Sequence, residues 1–184
     1  MPKEDYVPSL FQLFRQYGYD GATLAKMSEV TGLGKASLYH YFPGGKDEMV
    51  QAVLAYMEAR LDQHVLQNLK QPGEAPERLQ RMVEHLQKIY DNGNQPCVLA
   101  ILLLGSARDI FHAKVQELLA AWIGAIAALL AESGMDAALA QQRGEAALIT
   151  IQGSLILAQG MNDPSLFQRA VRALPATLCC SIDS

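Results

Sequence analysis

Between Thr31 and Phe42 the chain reads TGLGKASLYHYF, with one lysine, one histidine, three aromatics and no acid. The chemistry open to these groups is hydrogen-bond donation to anions and to base edges. Lys35 can donate to guanine O6 or N7, or to a phosphate oxygen. Tyr39 and His40 can donate to phosphates, which position a protein on a duplex without reading its sequence. Ala36 and Ser37 are small enough to allow close approach. From Val30 to Lys46 there are two lysines, one histidine and no Asp or Glu.

Three short elements must position these groups. A first helix spans about 3–17, with Leu10, Leu13, Phe14 and Tyr17 at helical spacing, and Gly18 and Gly21 flank a break. Thr23 is placed as the N-cap of a second helix reaching about Thr31. Gly32 is placed as the left-handed residue that closes it. A third helix covers 35–41, and Pro43-Gly44-Gly45 ends it. Two short helices joined at a glycine turn describe a helix-turn-helix. At ~100° per residue, Leu38, Tyr41 and Phe42 share one face of the third helix. They are expected to pack against Met27, Val30 and the first helix. Tyr39, Ala36, His40 and Ser37 occupy the opposite face, and Lys35 reaches sideways from the N-terminal end. Such a helix fits a major groove.

The remainder also reads as helix, with no bounded period-two run to suggest a strand. Helices are expected at about 46–69, 75–91, 97–108, 110–132, 136–161 and 164–180. The breaks are the 71–73 turn, the 92–96 loop, a turn near Asp109, Ser133-Gly134 and Asp163-Pro164. The expected fold class is therefore all-α. A helix-turn-helix domain is assigned to residues 1–48 and a larger helical domain to 49–184.

The chain has 184 residues, half of them hydrophobic, and a formal net charge of −4. Residues 1–50 hold five Lys/Arg against six Asp/Glu, a net of −1; residues 51–184 hold ten against thirteen, a net of −3. An acidic chain is not a protein coated in lysine for indiscriminate nucleic-acid binding. Any such contact must use a small aimed surface. The apolar run 97–105 is far shorter than the ~20 residues of a membrane span. No N-terminal stretch reads as a signal peptide. Three cysteines, two of them adjacent, suit a reduced protein, so a cytoplasmic location is expected. The histidines (His40, His64, His85 and His112) show no ligand spacing, and no Ser/His/Asp set or phosphate-cradling loop stands out. Thus no catalytic residue, metal or cofactor is expected.

Thr23, Met27-Ser28, the run Thr31 to Pro43, and Lys46-Asp47-Glu48-Met49 together resemble the DNA-binding segment of the TetR family of bacterial transcriptional regulators. The run FPGGKDEM further resembles the LmrA/YxaF-like subgroup. The resemblance covers about residues 8–54. It departs at Gly34, where the family often has a serine cap, and at Ser28, where alanine is common. It implies DNA contacts from Thr23, groove contacts from Lys35, Ala36 and Ser37, and phosphate contacts from Tyr39, His40 and Lys46.

For the C-terminal part the resemblance implies a variable helical domain that dimerises and often holds a small-molecule pocket. Candidate pocket residues are Met82, His85, Tyr90, Cys97, Phe111, Trp122 and Gln152. Cys97 opens an apolar helix whose N-terminus can lower a thiol pKa, which would suit an electrophile or oxidant sensor. The last two helices look suited to pairing across a two-fold axis. Gly144, Ala147, Ile151, Leu155, Leu166, Ala170 and Leu174 are the candidate interface.

The function expected is a bacterial repressor that binds a pseudo-palindromic operator as a homodimer and is released by a small-molecule effector. Its partners would be operator DNA, a second copy of itself and that effector, with no membrane and no enzymatic activity. The alternatives are an all-helical ligand-binding or enzymatic protein whose helix-turn-helix only packs, and an activator or ligand-independent regulator of the same fold.

Overall fold

A computed structural model describes residues 2–180, and all regular structure among them is helical. The chain divides into two compact units, Met1–Ala59 with Val98–Gln116, and Arg60–Cys97 with Glu117–Ser184.

In the first unit a 3-10 turn, Lys3–Tyr6, precedes α1, Val7–Gly21. Pro8 at the start of α1 lacks only an N–H that the first helical turn leaves unpaired in any case. The expected break falls within α1, at Gly18, whose φ of 65° kinks the helix. Tyr17, expected in the apolar stripe, is exposed instead. Next come α2, Leu24–Thr31, α3, Lys35–Tyr41, and α4, Gly45–Leu61. Later in the chain, α7, Val98–Leu102, packs against α1. The core contains Leu10, Phe14, Leu38, Phe42, Val50 and Val53, all fully buried.

Two expectations fail around α7. The 97–108 helix ends at Leu102, and α8 runs unbroken from Ala107 to Glu132, through the turn expected near Asp109. Gly105, with φ of 63°, takes the turn. Asp20 accepts hydrogen bonds from both the backbone N–H and the hydroxyl of Ser106, fixing the approach to α8. Asp109 lies in the first turn of α8, where the helix dipole favours an acid. By length and composition α8 is apolar enough to cross a membrane.

The second unit begins where the long fourth helix was expected to continue. After Leu61 the backbone widens into one π turn, Asp62–Leu66, before α5, Gln67–Lys70. The wider turn adds a residue to the helical repeat; Val65 within it and Leu69 beyond it are both buried. It also sets the His64 ring on that of His85, with centroids 5.8 Å apart. Burial, then the Arg60 charge and His85, holds the His64 pKa below its ordinary value. The folded chain therefore takes up this proton less readily than the unfolded chain. Stability attributable to His64 is full above about pH 7 and declines as pH falls through its unfolded value of ~6.5 toward the depressed one. Urea midpoints at about pH 7.5 and 5.5 should differ more for the parent than for His64→Gln.

Helix α6, Ala75–Ile89, carries Arg78, which ties the unit together. Its Nε donates to the Leu69 carbonyl at 2.7 Å, and its two terminal nitrogens fork onto Glu132 at 3.0 and 3.1 Å. Helix α9, Ala137–Met161, is capped by Asp136, whose carboxylate accepts from the Ala138 and Leu139 N–H groups. Helix α10, Ser165–Cys179, packs on α9 and α6. Trp122, Met82, Leu86, Ile151 and Phe167 lie in this core.

Candidate nucleic-acid interface

The helix-turn-helix is built by its caps. Thr23 Oγ1 accepts from the Lys26 N–H, and Gly32 closes α2 with φ of 70°. The Thr31 hydroxyl donates to the Met27 carbonyl and accepts from the Leu33 N–H, bracing the turn. Gly34 enters α3 in extended geometry without a side-chain cap. Leu38 and Phe42 are completely buried and Met27 nearly so. Tyr41 is half-buried, its ring 5.1 Å from that of Tyr6. Val30, expected among these packing residues, is instead 39% exposed.

The opposite side of α3 is open. Lys35, Ala36 and His40 are exposed, Tyr39 is 48% exposed, and Ser37 is half-buried. The His40 ring meets Tyr41 edge-on at 5.5 Å, which orients the imidazole. This surface offers donors of three kinds around two small side chains, with no carboxylate on the helix itself.

Lys46 behaves differently from the other candidates. It is half-buried, and its ammonium sits 4.4 Å from the Tyr19 ring centroid, a cation–π contact. The Tyr19 hydroxyl donates to Asp47, and its pKa is pushed up to about 12, chiefly by burial and then by that carboxylate. Tyr19 thus stays a neutral donor. The start of α4 is capped by Glu48, which accepts from the Gly44 N–H at 2.8 Å and pairs with Lys3 at 3.1 Å. The Gly44 N–H, then Lys3, holds the Glu48 carboxyl below its ordinary pKa. Glu48, four residues after Gly44, has the spacing of a side chain reaching back to a helix start. Sequence reasoning also missed Lys26, which donates to the Gly21 carbonyl and lies 3.5 Å from the centroid of the exposed Tyr17 ring.

Two family descriptions match the chain. One, bacterial regulatory proteins of the tetR family, matches residues 10–53. The other, transcriptional regulator LmrA/YxaF-like, C-terminal domain, matches residues 75–173, more than half of the chain. The chain belongs to the TetR family of bacterial transcriptional regulators. It is 23% identical to YxaF of Bacillus subtilis over 159 residues, covering 84% of this chain and 83% of that protein. It is 22% identical to LmrA of the same organism over 163 residues, covering 84% and 85%. A TetR transcriptional regulator from Legionella pneumophila shares the fold at a TM-score of 0.81, with 16% identity and 94% of each chain covered.

The candidate pocket residues of this TetR-family chain divide between the two units. Phe111 lies in the first, its ring 5.9 Å from that of Tyr19. The other six lie in the second. Tyr90, Cys97 and Gln152 come together there, the Tyr90 hydroxyl and the Gln152 amide both donating to Cys97 Sγ, at 3.5 and 3.6 Å. Cys97 is 3% exposed, and α7 begins one residue after it. His85 is half-buried on His64, while Met82 and Trp122 are core residues. The Trp122 indole N–H is buried without a partner.

The candidate dimer residues are mostly occupied within the chain. Gly144, Ala147, Ile151, Leu155 and Leu174 are buried, and Leu166 and Ala170 are half-buried. A side chain enclosed by its own unit cannot offer its surface to a second copy. The large apolar groups that α9 leaves uncovered are Ile149, Ile156, Leu157 and Met161, between 56% and 72% exposed. Ile149 and Ile156, seven positions apart, lie on the side away from Ala147 and Ile151, and Leu157 and Met161 lie on one flank of it.

Proposed function

We propose that this TetR-family regulator is a repressor that binds a pseudo-palindromic operator as a homodimer and releases it when a small effector binds the second unit. The observation that carries this reading is the two-sided α3: Leu38 is fully buried, while Lys35, Ala36, Tyr39 and His40 are exposed with no acid among them. Lys35, Ala36 and Ser37 meet base edges, and Tyr39 and His40 meet phosphates, with Thr23 contributing at the start of α2. Lys46 acts mainly by holding Tyr19 and the start of α4, and any phosphate contact it makes is secondary. Footprinting on the DNA flanking the regulator's own gene tests this reading. Two protected half-sites about one helical turn apart support it. No protection at any salt concentration favours a helix-turn-helix that only packs.

The dimer face is assigned to Ile149, Ile156, Leu157 and Met161 rather than to the buried residues selected from sequence. Their exposure would leave a long apolar strip in water in a monomer. Ile156→Ala should weaken the dimer about tenfold, as truncation of a central apolar anchor does. Sedimentation equilibrium reads this directly, and an unchanged monomer–dimer equilibrium would remove the assignment. A dimer also supplies the two recognition helices that a two-fold operator requires.

The effector is proposed to be largely apolar with a hydrogen-bond acceptor, because the buried Trp122 N–H has a donor to offer. It releases DNA only insofar as it binds the DNA-incompetent state more tightly. Trp122 is the only tryptophan, so its fluorescence reports directly on a metabolite panel.

A further inference from the structure

Lys26 lies in the first turn of α2, three residues after Thr23. Its ammonium stands 3.5 Å from the centroid of the Tyr17 ring and donates to the Gly21 carbonyl at 3.4 Å. That carbonyl already accepts from the Thr23 N–H at 3.1 Å, so the bond from Lys26 is long and shared. Among the described residues Lys26 forms no ion pair. Lys3 and Lys114 of the same unit, by contrast, pair with Glu48 and Glu58 at 3.1 and 2.9 Å. The acids nearest in sequence leave Lys26 unneutralised. Asp20 is bonded to Ser106, and Glu29, one turn further along α2, is exposed and forms no ion pair with it.

Tyr17 is the other half of this arrangement. It stands immediately before Gly18, where α1 kinks, and its ring is exposed rather than buried in the core. An aromatic face attracts an ammonium without cancelling its charge, as a carboxylate would. A flexible lysine gives up rotamer freedom when it grips a ligand, and one already seated on a ring and a carbonyl gives up less. Lys26 is therefore an ordered cation with its charge intact.

We propose that Lys26 is a further DNA contact, gripping a backbone phosphate, and that Tyr17 is the positioning residue that aims it. The proposal rests on α3 meeting DNA. In a helix-turn-helix the first helix crosses the phosphate backbone while the second lies in the groove. Lys26 occupies the N-terminal turn of that first helix, the end whose dipole also favours an anion. An ammonium has three N–H donors, and a ring face with one long bond leaves a donor for a phosphate oxygen. Phosphates carry no sequence information, so Lys26 adds affinity for every duplex alike.

The test is affinity as a function of salt, read by fluorescence anisotropy on the footprinted operator and on a scrambled duplex. Lys26→Gln keeps a donor for the Gly21 carbonyl and removes the charge. It should weaken both duplexes about tenfold, and the slope of log affinity against log salt should fall by about one per subunit. Tyr17→Leu keeps the charge and removes the ring, so it should cost about threefold on both duplexes at the parental slope. Tyr17→Phe keeps the ring and should keep parental affinity. A parental slope in Lys26→Gln, or a loss confined to the operator, overturns the phosphate contact. A parental slope with a lower melting temperature would make Lys26 only a brace between α1 and α2. Parental affinity in Tyr17→Leu overturns the positioning role. Lys35→Ala with Tyr39→Ala is the reference: loss there with none in Lys26→Gln removes this proposal alone, and loss in neither removes the reading of α3 as well. If Lys26→Gln does not fold, the parent protein answers. Its Lys26 should be acetylated more slowly by an amine reagent once operator is added, as read by mass spectrometry, and an unchanged rate overturns the proposal.

Discussion

Replacing Lys35 and Tyr39 together by alanine is expected to lower operator affinity by about 30- to 1,000-fold and to leave the melting temperature unchanged. A lysine on a base edge contributes about 1–3 kcal/mol, and a phosphate contact about 1 kcal/mol or more, so the pair sums to about 2–4 kcal/mol. Neither residue supports the fold. Both are exposed, and α3 is anchored through Leu38 and Phe42 on its other side. The two contributions separate experimentally. Tyr39→Ala, if Tyr39 meets phosphate, should weaken all sequences alike. Lys35→Ala, if Lys35 meets a base, should relax discrimination at one position of each half-site. If Lys35 meets phosphate instead, the slope of log affinity against log salt should fall by about one per half-site. Lys46→Ala makes an internal contrast, because its ammonium is already engaged with Tyr19. Its smaller loss of affinity should come with a lower melting temperature. Operator affinity unchanged in the double variant, measured at matched salt, would remove α3 from the interface.

That surface was legible because its determinants are local. Thr23, Gly32 and the spacing of Leu38 and Phe42 act within one or two turns, and each does in the structure what its chemistry suggests. Val30 failed because its side chain faces outward from an eight-residue helix, where a single turn decides burial. The contact of Lys46 with Tyr19 was not legible because Tyr19 lies at the far end of α1 and no local pattern joins them. The π turn at 62–66 and the start of α8 were invisible for a related reason. One depends on packing around His64 and His85, the other on Asp20 reaching Ser106 across 86 positions of sequence. Helix α9 posed a different problem. Apolar residues surround it on all sides, so periodicity alone cannot say whether Ala147 and Ile151 or Ile149 and Ile156 face inward. The packing of α10 on α9 and the close approach of α8 at Gly144 decide that, and they cover the face that sequence reasoning had assigned to a second copy.

Gly144 is where the two choices of face are most sharply opposed, and Gly144→Val is expected to lower the melting temperature by about 5–10 °C. A small residue at this position does permit close approach, as its sequence context suggests, but the neighbour is α8 of the same chain. A Cβ at Gly144 would stand 2.7 Å from the Ile123 carbonyl oxygen and 3.4 Å from the Ala127 nitrogen. Both are backbone atoms inside a helix and cannot rotate aside. Glycine to alanine in an exposed helix interior ordinarily gains about 1 kcal/mol. Gly124 supplies that reference, since nothing lies within 4 Å of its would-be Cβ and it sits on the exposed side of α8. Gly124→Ala should therefore melt above the parent. Gly144→Ala meets the crossing and should melt below it, the gain outweighed by ~1–3 kcal/mol of overpacking. Gly144→Val adds two methyl groups and β-branching, which raises the cost to at least ~2 kcal/mol. Calorimetry on the three variants at equal protein concentration decides the matter by their order. If Gly144→Val kept the parental melting temperature but lost the dimer, Gly144 would face a second copy, and the outward face of α9 would have to be reassigned.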